Sequence, residues 1–267
     1  MYDVVRWMGE LMFQSGPGQS ALFLHIRCLA SLIAPYALRK QHKTTILDKM
    51  SKMLLNAIMI GWLFVVTKAE FKCHNKIDMV ILLDSSASLP EKVFDATKTF
   101  ASDLVKHFDI SKDKVKMAVV SFSQYVHIQR RFCDEPTQES VLKAIDGTCY
   151  EGSFTRIDSA LNVVHDKIFK KEGGARSCDK DVKKVLVAIT DGFSSLGIDF
   201  TKKLADNLKK TDVKVFSVGT SDRVYKAEVD ELSSEPNKSH ELLKDLAKGS
   251  FSKDEVEKFA KEICKHE

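Results

Sequence analysis

From residue 70 onward, short runs of apolar, mostly β-branched residues alternate with longer segments in which apolar side chains recur every three or four positions. The first pattern belongs to strands buried on both faces, the second to helices with one apolar stripe. Ile77–Leu83, Val115–Phe122, Tyr125–Arg131, Val182–Ile189 and Val213–Val218 predict strands, with a weaker one at His240–Leu243. The helical period predicts helices over Pro90–Phe108, Gln138–Ile145, Arg156–Phe169, Phe200–Lys209, Tyr225–Ser233 and Lys253–Cys264. Such alternation is the mark of an α/β, doubly wound, mostly parallel sheet with helices on both faces. Two residues between Phe122 and the next run are too few for a crossover, so that third strand should return antiparallel, as an edge. Pro90 just inside a helix start, and Ser252 followed by Glu255 as a capping box, agree with the period.

Before residue 70 the pattern changes. Met53 to Val66 is apolar but for Asn56, follows Lys49 and Lys52, and ends in Thr67-Lys68-Ala69. A basic start, an apolar run of about 7–15 residues and small residues at −3 and −1 predict a signal peptide over 50–69, cleaved after Ala69. The expected location is therefore secreted and extracellular; a type II membrane anchor is the alternative, although a spanning helix wants about 20 apolar residues. Residues 1–49 read as a non-structural or mis-annotated extension, with Met50 or Met53 as the true start. The remaining domain is 70–267.

Export changes what the cysteines mean, because five of the six (73, 133, 149, 178 and 264) lie after the cleavage point. Cys73 and Cys264 bracket the domain and form one candidate disulfide. Cys133 and Cys149 flank one helical segment and form a second, leaving Cys178 as the odd thiol; spacing alone does not fix the connectivity. Asn237-Lys238-Ser239 is a candidate glycosylation site.

Charge removes one class of partner. Of 41 Lys and Arg, eight fall in residues 1–69 with three of the 37 Asp and Glu, so the remainder carries 33 against 34. The domain lacks the basic footprint of a nucleic-acid binder. Its lysine runs, Lys167–Lys171 and Lys180–Lys184, read as solvated faces, with a heparin-like polyanion site as the second reading. The eight histidines have no ligand spacing.

The chemistry gathers at strand ends. The first strand runs into Asp84-Ser85-Ser86-Ala87-Ser88, and the Val185–Ile189 run ends in Thr190-Asp191-Gly192. Both turns belong to the carboxyl edge of a parallel sheet, where ligands bind. Gly152-Ser153-Phe154-Thr155, before a helix, adds a hydroxyl from a third loop. Asp84, Ser86, Ser88, Thr155 and Asp191 make an all-oxygen set, which suits Mg²⁺, or Mn²⁺ in its place, better than Zn²⁺. Two carboxylates balance the ion's charge, and neutral hydroxyls leave it able to take an external carboxylate. Gly-x-Ser-x-Gly, the P-loop and Gly-x-Gly-x-x-Gly are missing, and no histidine lies in the motif loops, so no enzyme is expected.

In these motifs residues 77–264 resemble a von Willebrand factor type A domain. Asp84-x-Ser86-x-Ser88, Thr155 and Asp191 match the family's metal-ion-dependent adhesion site. The resemblance implies a six-stranded sheet in the order 3-2-1-4-5-6 with the site between the first and fourth strands. It also implies that the hydroxyls bind the ion directly, the aspartates directly or through water, and that a partner's Asp or Glu completes the shell. The terminal cysteines and the Gly174-Ala175-Arg176 loop are similar to the matrix type found in matrilins and collagen-associated domains. The function implied is a secreted adhesion or recognition module for an extracellular matrix or cell-surface protein. The alternative is a soluble structural or carrier component of the matrix using metal-independent contacts, including self-association.

Overall fold

The computed structural model describes residues 51–53, 70–221 and 224–265. The extension expected over 1–49, and the signal peptide over 50–69 apart from residues 51–53, lie outside the described residues. Among the described residues no helix is long and apolar enough to cross a membrane.

In chain order the domain runs β1 (Ile77–Asp84), α1 (Glu91–Val105), β2 (Val115–Phe122), β3 (Val126–Arg130), α2 (Gln138–Asp146) and α3 (Ile157–Val163), which passes into a π-helical turn over Val164–Ile168. It continues with β4 (Lys183–Thr190), α4 (Ile198–Lys209), β5 (Val213–Gly219), α5 (Lys226–Leu232), α6 (Asn237–His240), β6 (Glu241–Leu243) and α7 (Lys253–Lys265). The sheet order is β3-β2-β1-β4-β5-β6. Every neighbouring pair is parallel except β2 with β3, whose hairpin makes β3 the antiparallel edge.

Strand β1 is buried at all eight positions, because it is central in the sheet and covered on both faces. Its period of two divides the core. Ile77, Met79, Ile81 and Leu83 meet Phe94 and Leu104 of α1, Val141 and Ile145 of α2, and Phe259 and Ile263 of α7. Val80 and Leu82 face the other layer, with Ile157 and Leu161 of α3 and Ala205 and Leu208 of α4. Each such side chain contributes roughly 1.5–3 kcal/mol by leaving water, so the strand that carries Asp84 is firmly held on both faces.

Local signals account for the helix boundaries. Pro90 sits one residue before α1, as its N-cap. The Thr137 hydroxyl accepts from Ser140 N–H at 3.2 Å and starts α2. At α7 the capping box is reciprocal: Ser252 N–H donates to Glu255 Oε2 at 2.7 Å, and Glu255 N–H donates to Ser252 Oγ at 3.2 Å. With the Lys244 ammonium as the leading cause, these bonds pull the Glu255 carboxyl down to about 2. The expected helix Arg156–Phe169 changes to the wider turn at Val164, where Phe169 N–H donates to Val164 O at 3.0 Å. Val164 and Ile168 are buried either way, so the apolar spacing carries no sign of the change.

At the amino edge of the sheet Asp78 is almost fully buried. Arg176 Nε donates to its Oδ1 at 2.9 Å and the Arg176 N–H donates to its Oδ2 at 2.6 Å. The same guanidinium donates to Ile77 O and Lys114 O, tying β1, β2 and the loop before β4 together.

Cys73 and Cys264 form a disulfide across 191 residues of sequence. The bridge pins α7 to the segment leading into β1, and Asn75 Nδ2 adds a bond to Cys264 O at 2.8 Å. The expected second pair is corrected: Cys133 and Cys149 are free and exposed, as is Cys178. Nine-residue α2 stands between them. At 1.5 Å per residue such a helix holds its ends about 13 Å apart, beyond the roughly 7 Å limit between bridged Cα atoms. Replacing both Cys73 and Cys264 with Ser should lower unfolding stability by about 2–5 kcal/mol while retaining the sheet. Urea unfolding followed by circular dichroism checks this, and an unchanged midpoint and slope would contradict it.

Candidate metal centre

The chain leaves β1 toward β2 and β3 on one side of the sheet, and leaves β4 toward β5 and β6 on the other. Neighbouring β1 and β4 are therefore the switch point, where the connecting loops part and leave a crevice at the carboxyl edge. Asp84 ends β1 and Asp191 follows β4, so the topology alone sets the two carboxylates side by side.

Asp84 is fully buried. Its Oδ1 accepts from Ser86 N–H at 2.9 Å and its Oδ2 from the Thr190 hydroxyl at 2.6 Å. Thr190 in turn accepts from Gly192 N–H at 3.1 Å, which connects the end of β1 to the turn after β4. Ser86 and Ser88 hydroxyls lie 3.0 Å apart, and the Ser88 hydroxyl bonds the Asp191 carboxylate. Four of the five expected donors thus form one chain of contacts. Gly192 has φ +81°, and a Cβ there would stand 2.9 Å from Tyr225 O. The turn that aims Asp191 needs this glycine.

The third loop carries Thr155. Ala87 N–H donates to Ser153 O at 2.8 Å, and Gly152 N–H donates to Ser85 O at 2.8 Å, which lashes this loop to the Asp84 turn. Thr155 N–H donates to Ser195 Oγ at 3.0 Å, and Ser195 N–H returns to Thr155 O at 3.0 Å. The three loops are therefore bonded to one another at backbone level.

Burial, then the neighbouring Asp191, pushes the Asp84 carboxyl up to about 7. Burial also raises Asp191, against the Ser88 hydroxyl and the Phe193 N–H that hold its charged form. Arg156, the nearest cation in sequence, is engaged by Asp158 at 2.9 Å. Among the described residues no Lys or Arg pairs with Asp84 or Asp191, and no group of three or more His, Cys, Asp or Glu side chains forms a metal cluster. The two statements describe one arrangement: two carboxylates and three hydroxyls, a hard-oxygen set without a compensating charge. That donor set fits a divalent cation and suits a hard one such as Mg²⁺ better than Zn²⁺, whose sites favour nitrogen and sulfur.

Several residues around this centre escaped the sequence reading. Thr190 was visible only as part of a Thr-Asp-Gly turn, although its hydroxyl positions Asp84. Ser85 and Ser195 are bonded into the loops: the Ser85 hydroxyl donates to Phe122 O at 3.0 Å, and Ser195 holds Thr155. Glu228 of α5 is buried, accepts from Ser194 N–H at 3.0 Å and from the Thr201 hydroxyl, and so anchors the loop after Asp191. No local pattern marks it. Asn237, the glycosylation candidate, begins α6 away from the centre, half-buried, with Nδ2 donating to Asp230 O at 3.5 Å.

The rim is apolar. Tyr125, Phe154, Phe193, Leu196, Phe200 and Tyr225 all stand exposed on loops or a helix start at the carboxyl edge, with Leu243 at the end of β6. Among the described residues after 70, no other large apolar side chain is exposed. Phe193 and Tyr225 stack at 5.9 Å. Exposed apolar groups gathered on one face mark a binding surface.

Fold and centre together define an α/β domain with an oxygen-lined crevice at its switch point. The chain belongs to the von Willebrand factor type A domain family, whose model matches residues 78–250. It is similar to the transmembrane cell adhesion receptor mua-3 of Caenorhabditis elegans, 27% identical over 164 residues covering 61% of this chain and 4% of that protein. It is also similar to human matrilin-3, 27% identical over 164 residues, covering 61% and 33%. The chain thus spans a third or less of either relative. Among solved structures, proximal thread matrix protein 1 from the mussel byssus, with a zinc-occupied MIDAS motif, superposes with a TM-score of 0.61 at 24% identity, over 72% of this chain and 48% of that one. At that identity the likeness shows the fold.

Thr190→Val keeps the shape of a buried side chain and removes the hydroxyl between Asp84 and Gly192. Losing a buried bond to a carboxylate should cost about 1.5–3 kcal/mol. Chemical denaturation checks this, and full wild-type stability would show that Thr190 does not hold Asp84.

Proposed function

We propose that the protein is a secreted adhesion or recognition module. In this reading Asp84, Ser86, Ser88, Thr155 and Asp191 hold Mg²⁺, with Mn²⁺ able to replace it, and the partner is an extracellular matrix or cell-surface protein presenting Asp or Glu. The observation that carries the reading is the convergence of three cross-bonded loops on two adjacent buried carboxylates that no Lys or Arg among the described residues neutralises. Bound there, the ion supplies an open coordination position for a carboxylate from outside.

The chain's own residues do the rest. Thr190 and the Ser86 N–H keep the Asp84 carboxylate oriented, Gly192 and Glu228 keep the Asp191 turn in place, and Ser195 holds Thr155 over the crevice. The apolar rim supports a protein partner, since it offers area that a free small acid would not cover. The adhesion role named for mua-3 and the matrilin relative point the same way, and the zinc-occupied MIDAS motif of the mussel structure supports a divalent ion at such a site without selecting Mg²⁺. Secretion is supported by the apolar segment ending at Ala69 and by the disulfide, which belongs to an oxidising compartment. The three exposed thiols favour a second reading, a structural matrix component assembled through intermolecular disulfides independently of metal.

Thermal unfolding with Mg²⁺ and with EDTA tests the metal site. A ligand at about 100 times its Kd stabilises the native state by about 2.7 kcal/mol. Saturating Mg²⁺ should raise the unfolding temperature of the wild type, and Asp191→Ala should abolish the rise while remaining folded. No rise in the wild type across millimolar Mg²⁺, or an equal rise in the variant, would overturn the assignment.

A further inference from the structure

The apolar rim around the crevice also carries an unused acid. Asp199 lies in the first turn of α4, which begins at the carboxyl edge of the sheet, and it is exposed. Leu196 and Phe200, both exposed, flank it in the same segment. Among the described residues no hydrogen bond or ion pair engages the Asp199 carboxylate. Lys202, three residues further along the helix, feels its charge but is bonded to Glu231 at 2.6 Å. Other carboxylates beside the crevice are engaged. Glu151 faces His127 at 3.5 Å, Asp158 is held by Arg156 at 2.9 Å, and buried Glu228 accepts from Ser194 N–H and the Thr201 hydroxyl. Glu91 at the start of α1 is exposed, but the turn before it, residues 85–90, presents no exposed large apolar side chain.

A free acid at this place conflicts with a different, acidic partner. It would stand beside the carboxylate that the partner brings, and like charges brought together across an interface repel. The conflict vanishes where the surface meets a copy of itself. A two-fold axis midway between Asp199 and the crevice sets each copy's acid opposite the other copy's crevice, so both contacts form at once. Because they share one interface, the second forms without a further loss of translational and rotational freedom. The six exposed rim side chains from Tyr125 to Tyr225, five of them aromatic, offer roughly 600 Å² per copy, against about 800 Å² per partner in a stable interface. The polar groups between them, Asp199 included, add to that area.

We propose that the protein recognises a second copy of itself through this face, the Asp199 carboxylate of each copy being the external acid that completes the ion site of the other. The partner so named presupposes the metal-dependent function proposed above. Leu196 and Phe200 then pack around each acid and shield it from water, which strengthens its contact with a cation.

Sedimentation velocity of the protein at tens of micromolar, in saturating Mg²⁺ and in EDTA, reads the dimer, and thermal unfolding in parallel reads the ion. The wild type should be a dimer in Mg²⁺ and a monomer in EDTA. Asp199→Asn should weaken the dimer at least tenfold, as should Phe200→Ser, while each keeps a Mg²⁺-dependent rise in unfolding temperature and an unchanged circular dichroism spectrum. Glu91→Gln, which removes a charge at the same edge outside the apolar patch, should leave dimerisation within twofold. A mixture tests reciprocity. Asp191→Ala retains the acid but loses the ion site, and Asp199→Asn retains the site but loses the acid. Neither should self-associate alone, yet together in Mg²⁺ they should form a heterodimer, weaker than the wild-type dimer, through the one contact that remains. A monomeric wild type that still shows the Mg²⁺-dependent rise would overturn the inference and leave the metal site standing, its acid supplied by a different protein. A monomer with no such rise would overturn both. A dimer that persists in EDTA, as one linked by the exposed thiols would, undiminished dimerisation of Asp199→Asn, or no heterodimer in the mixture would each overturn the inference.

Discussion

The structure turns on the burial of Asp84 beside Asp191. A carboxylate at the end of a wholly buried strand is costly in a low-dielectric interior, and a second one alongside raises the cost further. Everything local offsets that: Ser86 N–H and the Thr190 hydroxyl bond Asp84, while the Ser88 hydroxyl and Phe193 N–H bond Asp191. Burial still leaves Asp84 at about 7. Hydrogen bonds alone do not make the pair comfortable, and a proposed divalent cation is the natural complement.

Holding two such groups apart from water and close to each other requires a rigid frame. The frame is β1, with Ile77, Met79, Ile81 and Leu83 locked into one layer and Val80 and Leu82 into the other. At its amino end Asp78 is satisfied by Arg176, so the same strand has a structural ion pair at one end and a candidate metal centre at the other. The difference is the counter-charge: the protein provides an arginine for Asp78 and none, among the described residues, for Asp84. Under the proposed function, that asymmetry separates a stabilising carboxylate from one kept for a ligand.

Much of this was legible because the relevant signals are local. Strand β2 falls on the expected Val115–Phe122, and the hairpin to β3 follows from two intervening residues. The five candidate ligands were visible because each sits at the end of a strand or before a helix, where sequence position and position in the sheet coincide. What stayed hidden depends on contacts between distant segments. Glu228 reaches Ser194 across 34 residues, and Arg176 reaches Asp78 across 98. The Cys133–Cys149 expectation failed because flanking a helix in sequence means standing at its opposite ends in space.

Exposed apolar side chains gather at the carboxyl edge, around the oxygen-lined crevice. The proposed function depends on that centre, which makes direct observation of an ion the decisive measurement. Crystals of the protein grown with Mn²⁺ should show a single strong anomalous peak within direct bonding distance of the Ser86 and Ser88 hydroxyls, beside Thr155, Asp84 and Asp191. Anomalous density elsewhere, or none at this crevice under saturating Mn²⁺, would contradict the account.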